Sequence, residues 1–563
     1  MILTILCFIY TFWVTYSYGF YTAKLVCGKK GYIDFPPAYY CIAGFAILSA
    51  IGQYISLFLP LGFTAHTIIF LGAFIIIIFY YNDIYNDIYN GFLKLFENII
   101  NAPLSLKFIF IILVLWILLY ASRTPRGYDF YLYHTQAIRW IEEYGIVPGL
   151  GNVHGRLAFN SSWFILQALF GFTFIFKEPL HFLNGFFFFL SLTLFWQGIL
   201  DIYNKKMAIN SLVKLLFFFV LLYLIRGVIH NLVDPILSLL ILVVITLWFE
   251  RKKDLNDLTI FFLFLFCSLA FTIKVSSAPI FLLPFICFIH MLRKMDYINI
   301  YKTLLISVLI ILPFLIRNII ISGYLLYPFP YINLFSFDWK IPLSAVIAEK
   351  EWIYSWARIP LMHPHKVLSL SINEWLPLWF IARSFIDKLI VLVMIASFIS
   401  FFVGIMRHKK TFQIFELQGV LAVGIGFWFI TAPDLRFAYG FIFGFIILEI
   451  VGYEVFEYID KLKMNSKLSG YLFAFLCLTG FIFASTEDNY YLLKNPLLII
   501  YPANYRVFET KKVEINSLIY TIPYDLEEDQ TGYSKLPSTP YPNNGLYLRG
   551  SSLKEGFRQE KNN

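Results

Sequence analysis

Apolar runs close to twenty residues long recur from one end of this chain to the other, and nothing else in it limits the possible folds so tightly. They lie near residues 2 to 20, 38 to 60, 64 to 82, 107 to 121, 181 to 200, 212 to 229, 232 to 249, 258 to 275, 277 to 292, 302 to 321, 386 to 406, 414 to 432, 435 to 455 and 469 to 486. The hydrocarbon core of a bilayer is about 30 Å thick and takes about 20 apolar residues as helix, the one open-chain form that satisfies its own backbone in lipid. The runs therefore predict an all-α polytopic membrane protein with about 14 transmembrane helices. Composition agrees: with 59% hydrophobic and 14% charged residues in 563, too little polar surface is left to clothe a soluble globule of that size. The first run, "MILTILCFIYTFWVTYSYGF", has neither a basic leader nor a small-residue cleavage site, and reads as a spanning helix rather than a signal peptide.

The run 158 to 176, "AFNSSWFILQALFGFTFIF", is the exception. If it does not cross, the loops holding Lys24/Lys29/Lys30, Lys94/Lys107, Lys205/Lys206/Lys214, Arg251/Lys252/Lys253, Arg293/Lys294/Lys302, Arg407/Lys409/Lys410 and Lys461/Lys463/Lys467 share one side, the cytoplasm; if it crosses, the bias is lost. We therefore expect 158 to 176 to be an amphipathic helix at the outer interface or dipping into it. Two large loops, 122 to 180 and 322 to 385, then face outward with both chain ends. The chain divides into accessory helices at 1–104, a core at 105–455, a last span within 456–486, and an extracytoplasmic tail at 487–563. That tail is expected to be a small α/β or irregular cap, or a partly ordered extension. The repeat "YNDIYNDIYN" at Tyr81 to Asn90 reads as a low-complexity surface helix without chemistry.

Polar residues at membrane depth are costly and default to function where they face a cavity. Under this topology they gather at the outer face: Asp129, His134, Arg139, His154, Arg156 and Asn160 in the first loop, then Arg226, His230 and Asp234, Lys274, Arg317 and Asn318, and Asp434 with Arg436. Arginine and lysine there would hold a phosphate, arginine through two oxygens at once. A carboxylate at the end of a span can take a proton from a hydroxyl or amine, and Asp129, just past the fourth span, is the best candidate. Tyr128, Tyr131 and Tyr133 could line a sugar site. Plainer readings stand beside these. Arg123, Arg126 and Arg139 suit lipid headgroups; Asp234 suits a helix cap before Pro235; His134 and His154 suit satisfied interfacial positions. Glu142 and Glu143 read as a solvated helix face, and "EWIYSW" and "NEWLPLWF" as an interfacial aromatic belt.

The segments "GYDFYLYHTQAIRW", "VDPILSLL", "RNIIISGYLLYP" and "APDLRFAYGF", in that order between about residues 105 and 455, resemble the GT-C superfamily of membrane glycosyltransferases, among them protein O-mannosyltransferases and the lipid A aminoarabinose transferase. The resemblance implies a GT-C-like fold in a bacterial inner membrane, with a periplasmic site that takes sugar from a polyprenyl-phosphate donor. It implies a glycan, lipid or protein acceptor and an inverting transfer. It makes Asp129 the base and Arg436 a donor-phosphate contact, with Asp234 and Lys274 supporting the cavity, and we expect Lys274 or Arg317 to join Arg436 in stabilising the departing lipid phosphate. Phe130, rather than a second acid, follows Asp129, and the oligosaccharyltransferase signature WWDYG is absent, so sugar and acceptor stay open.

No cofactor is expected: the six cysteines form no CxxC or metal-ligand spacing, and no nucleotide-binding glycine loop is visible. The net charge of +9 falls mostly in membrane-orienting loops, so the partners expected are membrane lipid and the lipid-linked donor, and no nucleic acid. Two rival functions fit the same composition. A transporter or flippase would place charges near the midplane of repeated halves, and a surface-polysaccharide polymerase or ligase would use a lipid-diphosphate oligosaccharide.

Overall fold

The computed structural model describes residues 1–28, 35–204, 208–251, 257–406, 412–452, 495–516, 518–525 and 527–560. The run expected as the last span, 469 to 486, and the segment 456–486 around it lie outside the described residues.

Before the first outer loop come α1 (Ile2–Cys27), α2 (Pro37–Ser56), α3 (Phe63–Phe79), α4 (Tyr81–Ile100) and α5 (Leu104–Ser122). The loop itself carries α6 (Thr135–Tyr144), α7 (Ser162–Leu169) and α8 (Thr173–Phe176). Then follow α9 (Leu183–Tyr203), α10 (Ile209–Leu224), α11 (Arg226–His230), α12 (Val233–Arg251), α13 (Asp257–Ile273), α14 (Leu282–Arg293) and α15 (Tyr297–Ser322). The second loop holds α16 (Leu343–Arg358), α17 (Pro364–Ser369) and α18 (Ile372–Ile381), before α19 (Phe385–Met406), α20 (Phe412–Thr431) and α21 (Tyr439–Gly452).

Among the described residues, eight stretches are long and apolar enough to cross a bilayer, in α1, α2, α5, α9, Val275–Arg293, α15, α19 and α20. The chain is thus a membrane protein. By this measure it falls short of the fourteen crossings expected. α3 and the start of α4 qualify only as a pair bent by 90°, and the apolar parts of α10, α12, α13 and α21 have 17 residues or fewer. Local chemistry sets several boundaries. Pro37 opens α2 at a position where the missing N–H costs nothing, Asp296 caps α15 through the Asn299 amide at 3.3 Å, and Gly323 ends α15 at φ +83°. α1 and α2 touch backbone to backbone: a Cβ at Gly19 would lie 1.9 Å from the Tyr40 carbonyl oxygen, and one at Gly44 1.8 Å from that of Thr15.

The run 158 to 176 is not the one continuous helix expected. It contains the eight-residue α7 and the four-residue α8, broken at Phe172 with φ +54°. Eight residues rise only about 12 Å. Every residue of α7 is buried, because protein covers all its faces. A Cβ at Gly52 of α2 would meet Ile165 and Leu169, Thr272 of α13 donates to Ser162 at 3.0 Å, and Gln167 donates to Asn231 at 3.1 Å.

The tail folds as a cap on the first loop. β1 (Thr510–Ile515) pairs antiparallel with β2 (Leu518–Pro523), Thr510 opposite Pro523, and β3 (Leu546–Leu548) with β4 (Phe557–Gln559). Tyr505 packs with Phe130 and Tyr131 in a small apolar core of its own. Backbone bonds fasten the tail to the loop: Ala503 N–H to the Ser122 carbonyl at 2.7 Å, Gly532 N–H to that of Tyr131 at 3.0 Å, and Phe557 N–H to that of Pro148 at 2.9 Å.

Candidate functional site

The chain leaves α5 through Arg126, whose N–H bonds the Ile229 carbonyl at 2.9 Å, and Gly127, where a Cβ would lie 2.2 Å from the His230 carbonyl oxygen. This contact fixes the start of the next helix, at Tyr128 and Asp129. A π-helical turn over Phe130–His134 then sets Tyr133 and His134 relative to Asp129 before α6 begins.

Asp129 receives cations from two distant parts of the chain. Arg436 Nη1 donates to its Oδ2 at 3.0 Å, and Arg156 Nη1 lies 3.5 Å from its Oδ1. Arg436 stands in a short turn after α20, where Asp434 Oδ1 accepts from the Arg436 N–H at 3.2 Å and Asp434 Oδ2 faces Arg436 Nε at 3.5 Å. Trp428 and Trp379 hold that turn by donating to the Asp434 and Pro433 carbonyls, each at 2.7 Å. Lys274, at the end of α13, pairs with Asp234 in the first turn of α12 at 2.5 Å and lies 3.6 Å from the centre of the Phe437 ring. The Lys274 pair is what occupies Asp234, beside whatever capping role Pro235 suggests.

The sequence-predicted residues brought together are therefore Asp129, Tyr133, His134, Arg156, Asp234, Lys274, Asp434 and Arg436. Tyr128 and His154 stand at the edge of this group, against the tail: the Tyr128 hydroxyl donates to Asp529, and the His154 ring lies 5.5 Å from that of Tyr541. Four others do not join it. Arg317 is fully buried and donates to Ser56, and at 3.4 Å each to Asn160 Oδ1 and the Gly145 carbonyl, so it braces α15 against the first loop and does not stand ready for a phosphate. Asn160 is spent on that arginine and on the Phe314 carbonyl. Arg139 bonds Glu143 at 2.6 Å and the Tyr533 carbonyl at 2.8 Å. His230 faces Arg126 and Arg226.

Three residues of the site escaped the sequence reading. Glu349 of α16 has Oε1 3.7 Å from Arg156 Nε, so that this guanidinium bridges two carboxylates. Asp529 and Tyr541 arrive from the tail, both within electrostatic reach of Tyr128 and, for Tyr541, of Arg156 and Glu349. An acid in "AVIAEKEWIYSW" carries no local mark, because only the fold sets it apart from Glu351 beside it. Glu142 also departs from its expected solvated face: it is buried, and its Oε2 accepts from the Tyr533 hydroxyl at 2.6 Å.

Burial alone would raise the Asp129 carboxyl, but Arg436, with Arg156 behind it, more than offsets this and holds it below the usual carboxylate range. Burial pushes Glu349 upward, and Arg156 only partly compensates. Burial lowers His134 to about 4 against the pull of Asp129 and Asp234, and lowers His154 to about 3 with the help of Arg156, so both are neutral near pH 7. Among the described residues no group of three or more His, Cys, Asp or Glu is arranged to hold a metal ion. A large apolar cavity of about 610 Å³ lies elsewhere, among Phe8, Phe12, Leu118, Phe186 and Phe189, and touches none of these charged groups.

The ion pairs have an order of exposure. The acids are the inner members, with side chains 19% exposed for Asp129, 12% for Asp234 and 18% each for Asp434 and Glu349. Lys274 and Arg436 stand further out, at 31% and 35%, while Arg156, at 21%, is as enclosed as its two acids. Each guanidinium or ammonium group carries more donors than its acid uses. The arrangement can therefore present anchored cations to an anion arriving from outside.

Residues 1–443 match the model of a family described as a domain of unknown function, DUF8201. The match includes every charged group from Asp129 to Arg436 and stops short of the tail that supplies Asp529 and Tyr541. No curated protein and no solved structure matches the chain.

Proposed function

We propose that this chain, which belongs to the DUF8201 family, transfers a sugar from a polyprenyl-phosphate donor to a glycan, lipid or protein of the cell envelope. It does so as a GT-C-like enzyme of a bacterial inner membrane, with the charged cluster on the periplasmic side. The bent α3–α4 pair and the four shorter apolar helices are then further crossings. What carries the reading is that Lys274 and Arg436 are more exposed than the acids that anchor them. Arg436 and Lys274, the most open of the cations, take the donor phosphate, Arg436 by its fork and Lys274 as a point charge. As the sugar–phosphate bond breaks, negative charge grows on the leaving lipid phosphate, and fixed cations in a partly desolvated site stabilise it there more than in the ground state. The acceptor approaches past Tyr128, His154 and Tyr541, between the tail and the second loop. Crowding the positive charges at one face, rather than at mid-bilayer, favours this over transport.

The test uses undecaprenyl phosphate, the leaving group of such a donor. Purified protein in detergent should be stabilised against heat by it, Arg436→Ala should weaken that binding at least tenfold, and a strain lacking the protein should lose a glycan or glycolipid visible by mass spectrometry. A deletion strain with an unaltered set of glycoconjugates, together with no stabilisation by the lipid phosphate, refutes the reading.

A further inference from the structure

Transfer to a hydroxyl or amine requires a proton acceptor, and each aspartate of the cluster is already committed. Asp129 faces two guanidinium groups at 3.0 and 3.5 Å, Asp234 an ammonium at 2.5 Å, and Asp434 both Nε and N–H of Arg436. A carboxylate so engaged is stabilised as the anion and is a correspondingly weak base. Glu349 differs. Its Oε1 is buried yet has no hydrogen-bond partner, with Arg156 Nε just outside bonding distance at 3.7 Å. Its Oε2 and the Tyr327 hydroxyl close in on Gly155, where a Cβ would lie 3.2 Å from the first and 3.1 Å from the second. The missing side chain of Gly155 thus lets the carboxylate and the Tyr327 hydroxyl approach the first loop closely, and Tyr541 and Arg156 face the same acid from the tail and the first loop.

We propose that Glu349 takes the acceptor's proton, and that Asp129 is a positioning residue that holds Arg436 and Arg156. This rests on the glycosyl-transfer reading of the site. The acceptor O–H or N–H bond gives its proton to a Glu349 oxygen, and the freed electron pair forms the bond to the anomeric carbon. The bond from that carbon to the phosphate oxygen breaks, and its electron pair departs with the lipid phosphate toward Arg436 and Lys274. Burial supports the assignment, since it raises the Glu349 carboxyl toward the working pH while Asp129 is held low.

The experiment compares Glu349→Gln, Glu349→Ala and Asp129→Ala in the full chain, reading product glycoconjugate by mass spectrometry and undecaprenyl phosphate binding by thermal shift. Glu349→Gln should lose about 100-fold or more of the product, the scale of general-base catalysis, while it binds undecaprenyl phosphate as the parent does. Added formate should restore part of the activity of Glu349→Ala and none of that of Asp129→Ala. Product at the parental level in Glu349→Gln overturns the proposal, and so does rescue of Asp129→Ala in place of Glu349→Ala. Loss of lipid-phosphate binding and heat stability along with product in Glu349→Gln also overturns it, by making Glu349 a structural support. If the parent protein itself makes no glycoconjugate and binds no undecaprenyl phosphate, the transfer reading fails first and Glu349 has no such proton to accept.

Discussion

Asp129 divides its two oxygens between Arg436 and Arg156, side chains that the sequence separates by 280 residues, and the consequence for stability has a definite sign. The carboxyl is held low when folded, so its contribution is present above the ordinary aspartate value and is lost as pH falls through the folded one. Asp129→Asn keeps the shape and removes the charge, which leaves two partly buried guanidinium groups short of a counter-ion. We expect a loss of about 1–3 kcal/mol, seen as a lower melting temperature in detergent, with undecaprenyl phosphate affinity kept or increased because a competing anion is gone. A tenfold loss of that affinity with unchanged melting would contradict the counter-ion role. Asp129, Lys274, Asp234, Asp434 and Arg436 were legible because each is a charge at the end of an apolar run, where sequence alone marks it as expensive. Arg317 carries the same mark, but it offsets its cost with Ser56, Asn160 and a carbonyl instead of a ligand. Glu349 carries no mark, since nothing in a polar loop foretells which acid will be buried.

Between elements, the tail and the first loop meet through a second buried acid. Glu142 of α6 accepts from Tyr533, beside Arg139, Glu143 and Tyr505, and burial, only partly countered by Tyr533 and Arg139, raises it to about 8. Below the ordinary glutamate value near 4.5 the acid is protonated whether the tail is docked or not, and docking keeps its full strength. Between there and about 8 only the undocked acid ionises, so docking weakens steadily as pH rises, and above 8 it is weakened by a constant amount. Protease sensitivity of the tail should increase from pH 5 to pH 9, and Glu142→Gln should make it independent of pH; a parental tail equally protected at both values would disprove the latch. Periodicity could not reveal this contact, because α6 reads as a helix with a solvated acidic face until a tail 391 residues away covers it. The same limit applied to α7, where an unbroken apolar run hid a break at Phe172 and a burial on all sides that depends on α2 and α13.

Across the whole molecule, contacts between helix ends divide the bundle into two faces. One face joins the Met1 amine to the Leu498 carbonyl, Ser122 to Ala503, Arg317 to the end of α2, Ser161 to the Ile273 carbonyl and Lys274 to Asp234. Both ends of α7 belong to it, since beside the Ser161 contact the Leu169 carbonyl meets His66 in the first turn of α3 at 3.0 Å. The opposite face joins Lys24 to Asp83 and Lys302 to the Val26 carbonyl at 2.8 Å, so two of the loops assigned to the cytoplasm by their basic residues do meet there. The basic-loop pattern was readable because it is a sum over many residues, whereas membership of the charged cluster turns on single side chains. If lysine and arginine set the orientation, the face with Asp129 and the tail is the outer one. In right-side-out spheroplasts, a membrane-impermeant maleimide should then label Leu361→Cys and Val507→Cys, at positions 89% and 88% exposed on the second loop and the tail. Met295→Cys, 72% exposed in the turn between α14 and α15, should react only after permeabilisation. Labelling of Met295→Cys in intact spheroplasts, with Val507→Cys silent, would invert the molecule and put the charged cluster in the cytoplasm, out of reach of any acceptor outside.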